Sequence, residues 1–278
     1  MDSGWFMQEP ANSLGGRLSG ADNDELGERV RRGLKAGEFH VVFQPFRRVR
    51  SDIVSGAECL LRWNHPQFGL LPAGAFSDAF SDHETACDVF RFVLGIACEE
   101  IAAWKMLARL ERSPRVAINV TASILLQEDL LEEIANAAAC HEISPSCFDL
   151  EIVETEDASK ILSLKEFTKP LRDMGVRLFC DDFGVAHPSL ATLSALHVDG
   201  LKLDKMFLRN VTESDRAGSV LKSILNLCSQ LQLSVVVEGV ENEAQFNWLA
   251  SYGDVEVQGM YVGKPQSDFV TAMLLNRN

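Results

Sequence analysis

Val116-Ala117-Ile118-Asn119-Val120 and Val235-Val236-Val237 are apolar, largely β-branched runs with no alternating polar face. A strand of this kind needs apolar cover on both sides, which chains supply by packing helices on both faces of a parallel sheet. The rest of the sequence keeps the matching rhythm. Strand-favouring runs near 39–46, 54–62, 115–120, 148–153, 176–181, 199–203, 234–238 and 255–258 are separated by stretches of helical spacing near 84–108, 128–140, 159–174, 213–231 and 242–251. Eight strands in about 250 residues fit one α/β domain, a TIM-like (β/α)8 barrel. The segment from Arg47 to Gly56 is too short for a helical crossover, so the first strand is expected to pair antiparallel and make the barrel irregular at its start.

Residues 1–23 are rich in Gly, Ser, Asn and Asp without periodicity and read as a flexible leader or linker, leaving 24–278 as the domain. Asp24 is placed to cap a helix running to Ala36, with Gly37 as its stop. The formal charge of −14 argues against binding duplex nucleic acid through a broad basic surface. It leaves room for a small phosphate-bearing ligand whose charge is met by bound divalent cations. The seven cysteines are scattered and never spaced as CxxC, which predicts reduced, mostly buried thiols. No apolar run is long enough to span a bilayer and no signal peptide is legible, so a soluble, cytoplasmic chain is expected.

The polar residues inside these strands are the chemical signal. Glu58, Asn119, Glu151, Asp181 and Asp182, Lys202, Glu238 and Gln258 all fall late in, or at the end of, an expected strand. In a barrel those ends converge on one mouth, where active sites are built. Charge inside an apolar strand is costly unless it is paired or ligates a metal. Carboxylate and amide oxygens suit hard cations such as Mg2+ or Mn2+ and suit zinc poorly. Asp181 and Asp182 raise a geometric difficulty, because neighbours on a regular strand point to opposite faces.

With these residues in view, the chain resembles the EAL family of cyclic di-GMP phosphodiesterases over about residues 25–270. The resemblance rests on Phe43-Gln44-Pro45, on Glu58-Cys59-Leu60-Leu61-Arg62-Trp63-Asn64-His65-Pro66 with Gly69, and on Asn119-Val120-Thr121. It continues through Glu151-Ile152-Val153-Glu154-Thr155, Asp181-Asp182-Phe183-Gly184, Leu201-Lys202-Leu203-Asp204, Glu238-Gly239-Val240-Glu241 and Gln258-Gly259. The resemblance implies hydrolysis of cyclic di-GMP to 5′-pGpG with two Mg2+ or Mn2+ ions and inhibition by Ca2+. It implies Glu58, Asn119, Glu151 and Asp181 as ligands of one ion, and Asp181, Asp182 and Glu238 around the second ion and the attacking water. Lys202 would contact or deprotonate that water. Gln44, Arg62, Gln258 and Glu241 would meet substrate, and Glu154 would steady the loop after Asp182. A homodimer and regulatory or effector protein partners are also implied.

Two departures stand out. The signature reads Glu-Cys-Leu in place of Glu-Ala-Leu, a small buried substitution. The loop after the aspartates reads Val185-Ala186-His187-Pro188-Ser189 where the family has Thr-Gly followed by an aromatic and Ser-Ser, so a hydroxyl and a flexible Gly are lost and a stiff Pro is gained. That loop is expected to order the metal site and to contribute dimer contacts. Two functions therefore stay open: an active phosphodiesterase, or a weak or inactive domain acting as a cyclic di-GMP receptor through protein partners.

Overall fold

The computed structural model describes residues 23–108, 114–153, 155–185 and 190–275. In chain order the elements are α1 (Asn23–Lys35), β1 (Phe39–Arg48), β2 (Ile53–His65), β3 (Gly69–Pro72), α2 (His83–Ala108), β4 (Arg115–Val120), α3 (Leu130–Cys140) and β5 (Phe148–Val153). They continue with α4 (Glu156–Leu162), α5 (Lys165–Asp173), β6 (Arg177–Phe183), α6 (Leu190–Leu193), β7 (Gly200–Leu203), α7 (Asp215–Gln230), β8 (Ser234–Val237), α8 (Glu243–Ala250), β9 (Glu256–Gln258) and α9 (Phe269–Met273). The sheet runs β1-β9-β8-β7-β6-β5-β4-β2-β3 and is closed by pairing of β1 with β2, so eight strands form a barrel and β3 hangs on its edge. β1 is antiparallel to both β2 and β9, whereas the pairs from β2–β4 through β8–β9 are parallel. The barrel and its irregular first strand match the sequence expectation.

Three details differ from it. The helix expected over 159–174 is two helices, broken at Leu164, whose backbone is extended (ψ 113°), just after Ser163 donates its hydroxyl to the Lys160 carbonyl at 2.6 Å. β3 has only four residues, too few for a period to show, and α9 has five. The expected leader lies outside the described residues except for Asn23, which belongs to α1. Gly37 ends the run after α1 at φ 70°, a left-handed conformation that glycine adopts without a Cβ penalty.

Alternation along the strands sorts the lumen into three layers. At the bottom, Asp149 accepts from Arg115 Nε at 2.6 Å and from Arg177 Nε at 2.8 Å. Two residues further along β6 comes Phe179, and two residues from Gln44 on β1 comes Phe46; both rings are buried. Two more residues along β6 comes Asp181, in the upper layer. The aromatic layer fits because its neighbours lack side chains: a Cβ on Gly200 would overlap the Phe179 ring, and one on Gly56 would overlap the Phe46 ring. The mouth thus sits on a filled floor, as barrel interiors require. Among the described residues no helix is long and apolar enough to cross a membrane, and the seven cysteines form no disulfide, six of them being buried.

Gly200→Ala tests this floor. Overpacking a filled lumen costs about 1–3 kcal/mol, so a lower urea midpoint at unchanged m-value is expected. An unchanged midpoint would show that Phe179 has room to spare.

Candidate metal and phosphodiester site

The site is organised around a buried ammonium. β7 ends within the barrel, and alternation turns Lys202 inward, where it is 1% exposed. Its Nζ lies 2.7 Å from Glu238 Oε1, 2.8 Å from Glu151 Oε2, 3.2 Å from Glu58 Oε2 and 3.4 Å from Asp181 Oδ1. Four carboxylates from β2, β5, β6 and the end of β8 thus converge on one cation. Glu58 is held further by Asn119 Nδ2, which donates to Oε1 at 2.7 Å, and by Gln258 Nε2, which donates to Oε2 at 2.8 Å.

The adjacent aspartates reach the same site through a break in β6. The pairing of β6 with β7 shifts register between Cys180 and Phe183, and Asp182 has φ 53°. Asp is among the few residues that enter the left-handed region readily, at a cost of about 1–2 kcal/mol. Asp181 Oδ1 accepts from the Asp182 backbone N–H at 2.9 Å, which fits the tight local geometry. As a result one carboxylate oxygen each from Asp181, Asp182 and Glu238 lie within 4.8 Å of one another.

Electrostatics show what the cluster lacks. Burial pushes the Glu58 carboxyl up, but Lys202 and the bonds from Asn119 and Gln258 outweigh it and hold Glu58 below the usual carboxylate range. Burial raises Glu151 well above that range, reinforced by Glu58 and Asp181 against the pull of Lys202. Asp181 is raised by burial and by Glu58. Asp182 is pushed up to about 7 by burial and by Asp181, and Glu238 to about 8 by burial, Asp181 and Glu58. Burial works against the Lys202 charge, yet Asp181, Glu151, Glu238 and Glu58 together raise its pKa well above the ordinary lysine value. One lysine is too little cation for five carboxylates. Four of the six buried side-chain atoms without a hydrogen-bond partner among the described residues belong to site residues and are acceptor oxygens: Asn119 Oδ1, Asp182 Oδ2, Gln44 Oε1 and Gln258 Oε1. Unsatisfied buried oxygens beside crowded carboxylates suit a hard divalent cation.

The other expected site residues are distributed around this centre. Gln44 pairs with Glu58 across the β1–β2 ladder and donates Nε2 to the Gly263 carbonyl at 3.3 Å. Arg62 is buried on the face of β2 that carries Glu58, one alternation beyond Leu60, and donates to the Leu61 carbonyl at 3.1 Å. Glu241 is exposed in the turn leading to α8, its backbone N–H donating to Gln245 Oε1 at 2.8 Å, and it is not among the carboxylates around Lys202. Glu154 and the loop residues Ala186, His187, Pro188 and Ser189 lie outside the described residues. The C-terminal segment that supplies the Gly263 carbonyl carried no signal in the sequence. Gly239, at φ 68° with the Lys205 side chain packed where its Cβ would be, is the glycine that lets the chain turn directly after Glu238.

A family model described as the EAL domain matches residues 27–265. The chain belongs to the EAL domain family. A cyclic di-GMP phosphodiesterase of Pseudomonas aeruginosa is 32% identical to it over 231 residues, covering 82% of this chain and 38% of that protein. An uncharacterized signaling protein of Caulobacter vibrioides is 32% identical over 240 residues, 86% of this chain and 29% of that protein. The first curated relatives are therefore much longer proteins, of which this EAL domain spans between 29% and 40%. The solved structure of the PaMucR phosphodiesterase in its c-di-GMP complex superposes with a TM-score of 0.76 at 29% identity, covering 87% of this chain and 97% of that one.

The raised carboxyls give a signed expectation. Asp182 and Glu238 have ordinary values of 3.8 and 4.5 and folded values of about 7 and about 8. The native state therefore holds protons more tightly than the unfolded chain. Their contribution is fully present below about pH 4 and is lost as pH rises towards 8. A divalent cation should accordingly raise Tm more at pH 8 than at pH 5, read by thermal unfolding with and without Mg2+ or Mn2+. A metal increment independent of pH, or none, would contradict a cation site among these carboxylates.

Proposed function

We propose that this EAL domain hydrolyses one phosphodiester bond of cyclic di-GMP, giving linear 5′-pGpG, with two Mg2+ or Mn2+ ions held at the barrel mouth. The charge balance carries the reading. Glu58, Glu151, Asp181, Asp182 and Glu238 are buried around Lys202, and two divalent ions would match the negative charge that this lysine leaves. The names of the relatives support the same chemistry: a cyclic di-GMP phosphodiesterase and a phosphodiesterase bound to c-di-GMP.

In this reading Glu58, Asn119, Glu151 and Asp181 hold one ion, and Asp181, Asp182 and Glu238 surround the other. The ions would supply Lewis acidity at the phosphate and an activated water. The chain's own work is positioning. Asn119 and Gln258 fix the Glu58 carboxylate, and the floor of Phe46 and Phe179 closes the lumen below the site. Lys202, 2.7 Å from Glu238 Oε1 and 3.4 Å from Asp181 Oδ1, is placed to contact the attacking water or to take its proton. Gln44, Gln258 and Glu241 contact substrate, and Arg62 pairs with phosphate oxygens through its planar fork. Glu154 steadies the loop beyond Asp182. The domain works in the cytoplasm, as a homodimer.

A second reading, a cyclic di-GMP receptor with little or no turnover, is favoured by one observation. Val185 stands 48% exposed where the family places a hydroxyl, so that hydrogen bond is absent from the loop bordering Asp182.

Incubation with cyclic di-GMP and Mg2+ or Mn2+, with products resolved by chromatography, separates the two. We expect 5′-pGpG from the wild type, none in Ca2+ or excess chelator, and a drop of at least about a thousandfold (several kcal/mol in barrier) for Glu58→Ala and Asp181→Ala. Tight ligand binding without turnover in the wild type would establish the receptor. Near-normal turnover in both variants would remove these carboxylates from the reaction.

A further inference from the structure

The end of the barrel opposite the carboxylates carries a second concave surface, and we propose that it is a binding site for a small phosphorylated anion of the diphosphate class. A cavity of about 520 Å³ lies between α5 and the N-terminal ends of β6 and β7. Its charged lining is Lys165, Lys169, Arg172 and Arg177 against Asp173 and Asp199. The chain as a whole has the opposite balance, with 26 basic and 40 acidic residues. Against that balance the cavity lining carries four basic and two acidic side chains, a local excess of positive charge.

Both arginines are already oriented. Arg172 gives Nε at 2.9 Å and Nη2 at 2.8 Å to Asp199 Oδ1, and Asp199 is itself fixed by the Leu178 backbone N–H on Oδ2 at 3.0 Å. Arg177 gives Nε at 2.8 Å and Nη2 at 2.5 Å to Asp149. In the Arg172 pair the carboxylate takes the Nε–Nη2 edge and Nη1 lies outside it, whereas the Arg177 guanidinium lies 5.0 Å from the Phe179 ring in the lumen layer it shares with Asp149. A guanidinium has five N–H donors, so Arg172 retains donors for another acceptor without surrendering its structural partner.

The lysines complete the site. Lys165 and Lys169 are one helical turn apart on α5 and line the same cavity. Lys169 pairs with Asp173 on the exposed helix face, an interaction that is screened and weak enough to yield to a multiply charged ligand. Ammonium groups on side chains about 5–6 Å apart at Cβ match two linked phosphates better than one. The volume lies within the range of small-molecule sites and exceeds what a single phosphate fills. An acidic peptide would need an extended groove.

The test uses the full chain in EDTA, so that the probe cannot enter through metal at the other end of the barrel. Inorganic pyrophosphate is titrated by calorimetry, with orthophosphate and GTP as parallel arms. We expect saturable, one-to-one binding of pyrophosphate at least ten times tighter than orthophosphate, and GTP binding no weaker than pyrophosphate if a nucleotide is the natural source. The double variant Lys165→Glu/Lys169→Glu should lose at least tenfold in affinity with its Tm unchanged, since both side chains are exposed. Glu58→Ala should bind as the wild type does. Non-saturating heats, equal affinity in the double variant, loss of binding in Glu58→Ala, or capture of a poly-glutamate peptide but not of pyrophosphate would each overturn the proposal.

Discussion

Lys202 and the carboxylates around it set the terms for the rest of the structure. An ammonium buried to 1% exposure persists only because Glu58, Glu151, Asp181 and Glu238 surround it, and those carboxylates persist ionised only in so far as it offsets them. The balance is lopsided. Five carboxylates share one lysine, and burial drives Glu151, Asp181, Asp182 and Glu238 towards their neutral forms. A cluster so arranged stores a demand for positive charge, and on it rests the proposed affinity of the mouth for cations and, through them, for phosphate.

The scaffold is built to hold that imbalance in place. Closure of β1 against both β2 and β9 brings Gln44 beside Glu58 and leaves no open edge in the barrel itself. Beneath the carboxylates, Phe46 and Phe179 fill the lumen because Gly56 and Gly200 leave them room. Below the rings, Asp149 bridges Arg115 and Arg177. This ionic layer differs from the upper one in its excess of cation, two arginines to one aspartate, with Glu256 and Asp199 near enough to act on Arg177.

Much of this was legible in the sequence, for identifiable reasons. Continuous apolar runs such as Val116–Val120 fixed the parallel, doubly covered sheet, and the short link from Arg47 to Gly56 forced β1 to run antiparallel. Carboxylates at strand ends could be gathered at one mouth because a barrel admits only one such place. What stayed hidden depends on local geometry. Nothing in Asp181-Asp182 announces that β6 breaks there, with Asp182 at φ 53°, so that both side chains serve one site. The Gly263 carbonyl reaches Gln44 from 219 residues away in sequence, and no local pattern reports a contact at that range. One expected helix is split in two by an extended backbone at Leu164, a leucine that carries no helix-stop signal. The basic cavity beneath β6 was hidden because its residues come from a helix, a strand and a loop that only the fold assembles.

The central claim is that the five carboxylates hold two divalent ions, and the direct measurement is the Mn2+ content of the folded chain by equilibrium dialysis with elemental analysis. The account predicts two ions per chain in the wild type, with both lost or greatly weakened in Asp181→Ala, the residue common to both proposed sites. One ion or none at saturating Mn2+, or two ions retained by Asp181→Ala at unchanged affinity, would contradict it.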